Sequence, residues 1–491
     1  MTRTAGSASN SGKGAGKGAG KGAKGAIARQ TYLKHLLTQS AAAADESPLD
    51  LKAIGLKTLR DRAITLVNER SFPSGKDEEW RFTDLSDMLA RPFQRAQPVS
   101  KVQPVSTADD SWSDHLSLLT DGARLTTVNG HYVPALSEEA QEAAQSEGVV
   151  IGPLSVLLSN PDYAKKLTPL LEKRLAQVKG GGEVFTALNT VGFTDVMVVW
   201  VQADQVVDRP IYIARGSQGE FISQVRSLVI AESHAKFTLV ESFFGQNEDK
   251  TACCSVEQGE DLEENIGARC NNSVTEIWLA AGAQVDHVRV QDENVNTFHL
   301  AKTAVDQAAD SQYRCTAIDL GAKLSRHHIE VYQSGPQTNT QMYGLSALGD
   351  RQLADTHSLL ALTYPYGSAT QLQKNIVDDR AHCVFNGKVY VSRAAQLTDA
   401  AQLNRNLMLS TKARVDTKPE LDIVADNVKC AHGATVSQLQ ADEIFYLQSR
   451  GISAHQAQRL LLYGFGMEIV EKISVPSIRA ALSKRLRDWA N

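Results

Sequence analysis

The sequence predicts a mainly β protein in which a stack of short strands is flanked by helical segments at both ends of the chain. Short β-rich runs follow one another from about residue 190 to 430, whereas helical periodicity dominates from about residue 28 to 95 and again after residue 440. About 240 residues of short strands are too many for one sandwich, but a solenoid can hold them because each turn covers its neighbour. No strict hexapeptide repeat is present, which disfavours a left-handed acyltransferase-type helix.

Residues 1–40 are predicted to form a Gly/Lys-rich disordered tail. The repeat GKGAGKGAGKGAKGA is of low complexity and offers no side chains for a core. The tail lacks the apolar core of a secretory signal, and a transit peptide remains the alternative.

Residues 41–185 are predicted to form a mostly helical N-terminal domain with a linker. The run LKTLRDRAITLVNER places apolar residues at spacings of three and four, as on the buried side of a surface helix. The Pro- and Ser-containing stretch PVSKVQPVSTADDSWS is interpreted as the linker.

Residues 186–437 are predicted to form the β core, with an acidic inserted loop over 246–272. Polar and apolar residues alternate in His328-Ile329-Glu330-Val331-Tyr332, which predicts a strand with one face in solvent. The inserted loop carries three of the six cysteines, Cys253, Cys254 and Cys270. An exposed loop is the favoured interpretation, and a metal or redox role is the alternative.

Residues 438–491 are predicted to form a C-terminal helical domain. Gly451 suits the end of a first helix, Ser453 the N-cap of a second, and Pro476 the start of a third. One apolar face of the second helix must pack on the body or on another protein, and its members are Leu460, Leu461, Tyr463 and Met467.

Composition and charge exclude several classes of protein. No apolar run is long enough to span a bilayer, so no membrane partner is expected. The first 30 residues hold six of the 51 Lys and Arg residues, so the rest of the chain carries 45 basic against 56 acidic side chains. That balance disfavours nucleic acid as a partner. The six cysteines form no CxxC pair, which fits a reducing compartment.

The sequence lacks most familiar catalytic motifs. No segment matches GxxxxGK[ST], so no nucleotide is expected to bind by the P-loop route, and no GxSxG or HExxH motif is present. A polysaccharide-active enzyme on a similar fold would need paired carboxylates on one face. The only candidate is Asp378-Asp379-Arg380, where adjacent residues would point in opposite directions.

Cys430 and His432 are the candidate metal ligands. Residues two apart on a strand project to one face, which lets a thiolate and an imidazole approach one ion. His327-His328 and His382-Cys383 fail this test because they are adjacent. A closed site normally needs four ligands, so the pair is either half of a site or two residues that merely pack.

Two long stretches carry a family resemblance. The run STKARVDTKPELDIVADNVKCAHGATVSQL, followed by DEIFYLQSRGIS, resembles the SufD side of the SufB/SufD family, which belongs to the SUF iron–sulfur cluster assembly machinery. KDEEWRFTDL resembles the helical entry motif of the same family. The resemblance covers about residues 45–491, and where the family often has Ser between the Cys and His, this chain has Ala431.

The resemblance implies a right-handed parallel β-helix flanked by helical domains. It also implies a non-catalytic scaffold subunit that pairs with a SufB-like subunit through the β-helix and carries a SufC-like ATPase on its C-terminal helices. Cys430 and His432 would then lie at the subunit interface, where a transient iron–sulfur cluster or iron is held. A purely structural partner of SufB is the alternative. The implied compartment is the cytoplasm, or else a plastid stroma.

Overall fold

The computed structural model describes residues 16–51, 56–96, 115–137, 148–179, 182–245 and 267–489. Its body consists of two long β-sheets, with helices before and after them in the chain. The predicted mainly β class is therefore confirmed. Among the described residues, no helix is long and apolar enough to cross a membrane.

The strands hold more of the described residues than the helices do. In chain order they are β1 (Ala123–Val128), β2 (His131–Tyr132), β3 (Val149–Pro153), β4 (Val196–Val201), β5 (Ile211–Ser217), β6 (Ile222–Ala231), β7 (Lys236–Gly245), β8 (Arg269–Leu279), β9 (Gln284–Asp292), β10 (Thr297–Gln307), β11 (Gln312–Asp319), β12 (Leu324–Gln333), β13 (Asn339–Leu348), β14 (Leu353–Leu362), β15 (Ser368–Val377), β16 (His382–Val391), β17 (Asp399–Met408), β18 (Arg414–Ile423) and β19 (Lys429–Ser437).

The helices lie mainly at the two ends of the chain. They are α1 (Gly16–Asp45), α2 (Lys57–Glu69), α3 (Ser86–Leu89), α4 (Leu154–Ser159), α5 (Pro161–Arg174), α6 (Val184–Gly192), α7 (Ala441–Ser449), α8 (Ala454–Val470) and α9 (Pro476–Trp489). Short 3₁₀ helices cover Glu78–Trp80 and Pro134–Leu136.

Successive strands from β4 onward alternate between the two sheets, which makes a parallel β-solenoid of eight turns. The first sheet has the order β18-β16-β14-β12-β10-β8-β6-β4-β3, and the second has the order β19-β17-β15-β13-β11-β9-β7-β5-β1-β2. Neighbouring turns are in register: Leu353 is the Cα partner of His382, 29 residues later. Asp350 and Asp379 lie at equivalent positions in the turns before β14 and β16. Both have a positive φ, a conformation that Asp tolerates better than most residues.

The solenoid interior is apolar along one side and polar along the other. One buried cluster runs from Leu125 through Val229, Val305 and Val389 to Val391, with Cys430 packed at its margin. The outer face of the first sheet is covered by α1, α2, α5 and α6, and that of the second sheet by α8 and α9. The C-terminal helices therefore lie on the opposite face of the solenoid from the N-terminal helices.

The structure corrects three predicted boundaries. Residues 16–40, assigned to the disordered tail, belong to α1, and Leu33 and Leu36 are buried against the N-terminal core; residues 1–15 lie outside the described residues. The solenoid begins before residue 186, because β1 pairs in parallel with β5. The inserted loop ends earlier than residue 272, because β8 starts at Arg269. Residues 246–266 and the predicted linker over 98–113 lie outside the described part.

The predicted helix boundaries of the C-terminal domain agree with the structure. Ser453 forms a capping box with Gln456, Gly451 adopts a positive φ of 84° after α7, and Pro476 is the first residue of α9. Ser453 accepts a hydrogen bond from a free amide in the first turn of α8, and Gly451 adopts the left-handed conformation common just after a helix. Proline suits the first position of a helix because an N–H there would have no partner within the helix.

Candidate functional site

The last turn of the solenoid is open. β18 and β19 are the edge strands of the two sheets, so each presents one unpaired row of backbone groups. Together they expose edges of 10 and 9 residues. Edges of this length are suited to pairing with another strand.

Cys430 and His432 both lie on β19, at this open end. Their Cα partners in the preceding turn are Ala400 and Gln402, which are both buried in the solenoid interior. The two side chains therefore project to the interior face, as the spacing of two predicts. Because no later strand in the described part of the chain covers them, Cys430 is half-buried and His432 is exposed.

The protonation state of Cys430 follows from its surroundings. Burial raises the pKa of the thiol, the Ala400 backbone opposes that effect, and the Asp399 carboxylate adds to it. The thiol is therefore protonated at neutral pH in the isolated chain. Since the thiolate is the form that binds metal, an incoming cation must displace this proton.

The pair is not a complete metal site by itself. Within the described ranges, no group of three or more His, Cys, Asp or Glu side chains is placed to hold a metal ion. Two ligands leave at least two positions of a tetrahedral ion to be filled from elsewhere.

A row of buried amide side chains lies in the turns next to Cys430 and His432. Gln402 Nε2 donates to Gln371 Oε1 at 2.8 Å, and Gln371 Nε2 donates to Ser358 Oγ at 2.9 Å. A parallel chain joins Asn375 to Asn406 at 2.6 Å and Asn406 to the backbone oxygen of Thr435 on β19 at 2.9 Å.

Sequence reasoning missed these amides, although a signal for them exists. QLNRN in β17 and QLQKN in β15 both place an amide at every second residue, and they align one turn apart. Alternate polar residues on a strand normally indicate the solvent face, but here they point inward.

In each of the two excluded pairs, His327-His328 and His382-Cys383, the two side chains lie on opposite faces of their strand. His327 points inward to Thr303 Oγ1 at 3.0 Å, whereas His328 points outward to Glu330 at 3.1 Å. Cys383 is buried, and its neighbour His382 bonds the Asp416 carboxylate on the outer face at 2.7 Å. Asp378-Asp379-Arg380 lies in the turn between β15 and β16 rather than on a strand.

The other described cysteines are sealed inside the protein. Cys270, Cys315 and Cys383 are buried, and burial raises the pKa of the Cys270 and Cys383 thiols. Cys270 therefore belongs to a packed strand rather than to the exposed loop predicted for it, while Cys253 and Cys254 lie outside the described residues. Of the cysteines that the structure describes, Cys430 is the accessible one.

A buried ionic cluster lies deeper in the solenoid. The Glu241 carboxylate accepts from Ser227 and Thr275, lies 3.8 Å from Arg215 and 3.2 Å from His287. Burial raises the pKa of Glu241, but its interactions with His287, Arg215 and Thr275 together outweigh burial and lower the pKa to about 2. Burial lowers the pKa of His287, but its interactions with Cys315 and Glu241 outweigh burial and raise the pKa to about 9.

The C-terminal helices carry an exposed apolar surface. Phe445, Tyr446 and Leu460 are 71%, 57% and 53% exposed. Leu460 also lines a groove of about 450 Å³, together with Ile452, Gln456, Arg459, Tyr463 and Arg487. The face predicted on α8 divides accordingly: Tyr463 and Met467 pack on the outer cluster of the second sheet, whereas Leu460 faces solvent.

Comparison with known proteins covers nearly the whole chain. A family sequence model described as the SufBD core domain of the SUF system for FeS cluster assembly matches residues 212–465, and one described as the SufBD protein N-terminal region matches residues 28–213. The chain is 40% identical to an iron–sulfur cluster assembly SufBD family protein of Synechocystis sp., over 86% of this chain and 88% of that protein. It is 33% identical to the chloroplastic protein ABCI7 of Arabidopsis thaliana (91% and 88%) and 29% identical to the iron–sulfur cluster assembly protein SufD of Escherichia coli (84% and 88%).

Proposed function

Because the chain belongs to the SufBD family of the SUF iron–sulfur cluster assembly system, we propose that it is a non-catalytic scaffold subunit that completes a cluster-assembly site with a second subunit. The observation that carries this proposal is the position of Cys430 and His432 on an uncovered edge strand. The proposal accounts for a ligand pair that lacks further ligands among the described residues.

The second subunit in this proposal is SufB-like and docks at the open end. The exposed edges of β18 and β19 offer backbone donors and acceptors over 10 and 9 residues, and a partner solenoid would continue the two sheets. Docking of that kind would bury Cys430 and His432 at the junction. The remaining ligands for iron would come from the partner.

The chemistry at the junction is ligand exchange on a cargo rather than catalysis by this chain. Cys430 loses its proton to solvent and binds iron or a nascent cluster through sulfur, while neutral His432 binds through one ring nitrogen. Binding through the Cys430 sulfur releases a proton, and the ring nitrogen that binds must carry none. Binding of iron or cluster therefore weakens as pH falls.

We place the ATPase partner, which is SufC-like, on the C-terminal helices. Phe445, Tyr446 and Leu460 are the large apolar side chains exposed on α7 and α8, and Leu460 also lines the groove between α8 and α9. Aromatic side chains of this kind serve as anchors in protein interfaces. Nucleotide hydrolysis belongs to that partner, since this sequence contains no P-loop motif.

A purely structural role beside a SufB-like subunit is the second candidate. It is favoured by the partial burial of Cys430 against the interior apolar cluster, where the thiol could serve for packing alone. Under this candidate, the edge strands still dock but the cargo never contacts Cys430 or His432.

Two variants separate the candidates. The wild-type chain, His432→Ala or Cys430→Ser is co-expressed with its SUF partners, and each complex is purified anaerobically. Iron and sulfide are then added, and cluster formation is followed by visible absorbance. We expect both variants to co-purify normally and to form cluster at least about tenfold more slowly. His234→Asn, at an exposed position in the turn before β7, is the matched control, since Asn tolerates the positive φ found there. Normal cluster formation in both site variants would establish the structural candidate instead.

Binding of the ATPase is tested separately. Leu460→Asp places a charge in the apolar patch on α8, so we expect the ATPase to be lost from the purified complex while the SufB-like subunit is retained. Val206→Asp, at a position that is 61% exposed near the other end of the solenoid, should retain both partners. Retention of the ATPase by Leu460→Asp would place its docking surface elsewhere.

For the compartment, we propose a bacterial cytoplasm or a plastid stroma. Relatives include a cyanobacterial protein, a chloroplastic plant protein and a bacterial SufD. Fractionation of cells that express a tagged full-length chain distinguishes the two.

A further inference from the structure

Gln402 carries an unused hydrogen-bond acceptor directly beneath the candidate site. Its side chain is 3% exposed, and its Oε1 atom has no hydrogen-bond partner among the described residues. A buried acceptor without a donor is costly, which makes this oxygen an exception that calls for a partner.

The amide of Gln402 is held in one orientation. Its Nε2 donates to Gln371 Oε1 in the preceding turn, and Gln371 is itself tied to Ser358. Since the nitrogen of the amide is turned toward the preceding turn, the oxygen is turned away from it. The turn that follows is the last one, and it places His432 opposite Gln402.

The opposite wall of the solenoid leaves room for this side chain. Gly387 on β16 faces the interior, and a Cβ atom at that position would collide with Gln402 Nε2. The amide therefore occupies the space that a larger residue would fill. Glycine is required here to let Gln402 lie across the interior.

We infer that Gln402 is a positioning residue for His432: its Oε1 accepts a ring N–H and leaves the other ring nitrogen free to bind cargo at the open end. Adjacent parallel strands are about 4.8 Å apart, and both side chains project to the same face, so a rotation of the exposed imidazole brings its N–H to the oxygen. This inference rests on the proposed function for the use of the second nitrogen.

The hydrogen bond has a defined chemical effect. A neutral imidazole has one protonated and one free nitrogen, and the nitrogen that donates is the protonated one. An acceptor-only oxygen beneath the ring therefore selects one tautomer. Metal-binding histidines are commonly oriented by a second hydrogen bond of this kind.

The tautomer of His432 can be measured directly in the isolated full-length chain. The chain is labelled with ¹⁵N-histidine, and two-bond ¹H–¹⁵N correlation spectra are recorded at about pH 8, where an ordinary histidine is neutral. The His432 signals are those lost in His432→Ala. We expect the ratio of the major to the minor tautomer to be about fivefold larger at His432 than at the exposed His455.

Three variants isolate the role of the oxygen. Gln402→Leu keeps the volume but removes the acceptor, so the His432 tautomer ratio should move to that of His455. Gln402→Glu restores an acceptor and should restore a single tautomer. Gln373→Leu removes another buried amide, one that bonds Asn375 at 2.9 Å, and should leave His432 unchanged.

The inference is overturned if His432 in the wild-type chain has the same tautomer ratio as His455, a comparison that needs no variant. It is also overturned if Gln402→Leu leaves the His432 signals in place while the other histidine signals show a folded chain. Neither result bears on the proposed function. That proposal is contradicted by a separate result, namely cluster formation at the normal rate with His432→Ala.

Discussion

The guanidinium carbon of Arg326 lies 3.9 Å from the centre of the Trp80 ring, and the same guanidinium pairs with the buried Asp355 carboxylate. Thr83 donates to that carboxylate as well, and Lys418 on β18 bonds Glu78 at 2.6 Å. The short segment 78–83 therefore contacts β12, β14 and the edge strand β18. It fixes the N-terminal domain to the second half of the solenoid.

We expect Trp80→Ala to lower the free energy of unfolding by about 3–5 kcal/mol, because it removes a buried ring and its contact with Arg326. Denaturant unfolding of the isolated chain measures the change. Phe445→Ala, at a position that is 71% exposed, should change the same quantity by less than about 0.5 kcal/mol. Equal effects of the two substitutions would contradict this account.

The Glu241–His287 pair predicts a pH dependence of stability. The pKa of His287 is raised to about 9, so its stabilising contribution is complete below about pH 6.5 and is lost as pH rises through 9. The pKa of Glu241 is lowered to about 2, so its contribution is present above pH 4.5 and is lost as pH falls through 2. Both contributions are therefore complete between about pH 4.5 and 6.5.

We accordingly expect the difference in unfolding free energy between wild type and His287→Gln to shrink between about pH 6 and about pH 9. Ile329→Val, an interior change that adds no titrating group, should give a constant difference over the same range. A constant difference for His287→Gln would mean that the imidazole is uncharged in the folded protein.

Gly344 and Gln373 are coupled across neighbouring turns. A Cβ atom at Gly344 would collide with Gln373 Oε1, so Gly344→Ala should destabilise the chain by about 1–3 kcal/mol. Adding Gln373→Ala removes the colliding atom, and a double-mutant cycle should show that the two changes together cost less than their sum. Gly464→Ala in α8 meets no atom within 4 Å and should instead stabilise the helix. Simple additivity would rule out the collision.

Cys430 should be alkylated faster than the other described cysteines, because Cys270, Cys315 and Cys383 are buried. Burial raises the pKa of the Cys430 thiol, so its rate with iodoacetamide should be low at neutral pH and rise as the thiolate forms at higher pH. Peptide mapping by mass spectrometry measures each site, and denatured chain supplies the unprotected rates. Comparable protection of all four cysteines would show that the open end is covered.

The stacked-strand fold was predictable because its strands carry strong local patterns. In β12, Ile329 and Val331 point into the solenoid while His328 and Tyr332 point out, as the alternation predicts. The outer face is not in solvent, however: Glu330 is buried beside Lys302 at 2.8 Å. Local alternation cannot reveal that a distant helical segment covers a sheet.

The candidate site was predictable only as a pair. The spacing of Cys430 and His432 fixes their shared face, but not their place at the end of the stack, which depends on where the solenoid stops. The contribution of Gln402 depends on a register 30 residues away. Its inward orientation contradicts the usual rule for polar residues and needed the three-dimensional stacking to become visible.

The amide lining of the last turns has a consequence for how the solenoid can terminate. Repeat proteins generally require a polar cap, because a bare final repeat exposes apolar core to water. Gln402, Asn404 and Asn406 are buried one turn below this end, so the layer directly beneath β19 is mostly polar. The last turn itself exposes Ile423 and Val436, which a docked partner would cover. A joint made here would therefore bury a few apolar side chains above a polar layer, and breaking it would expose only those side chains to water.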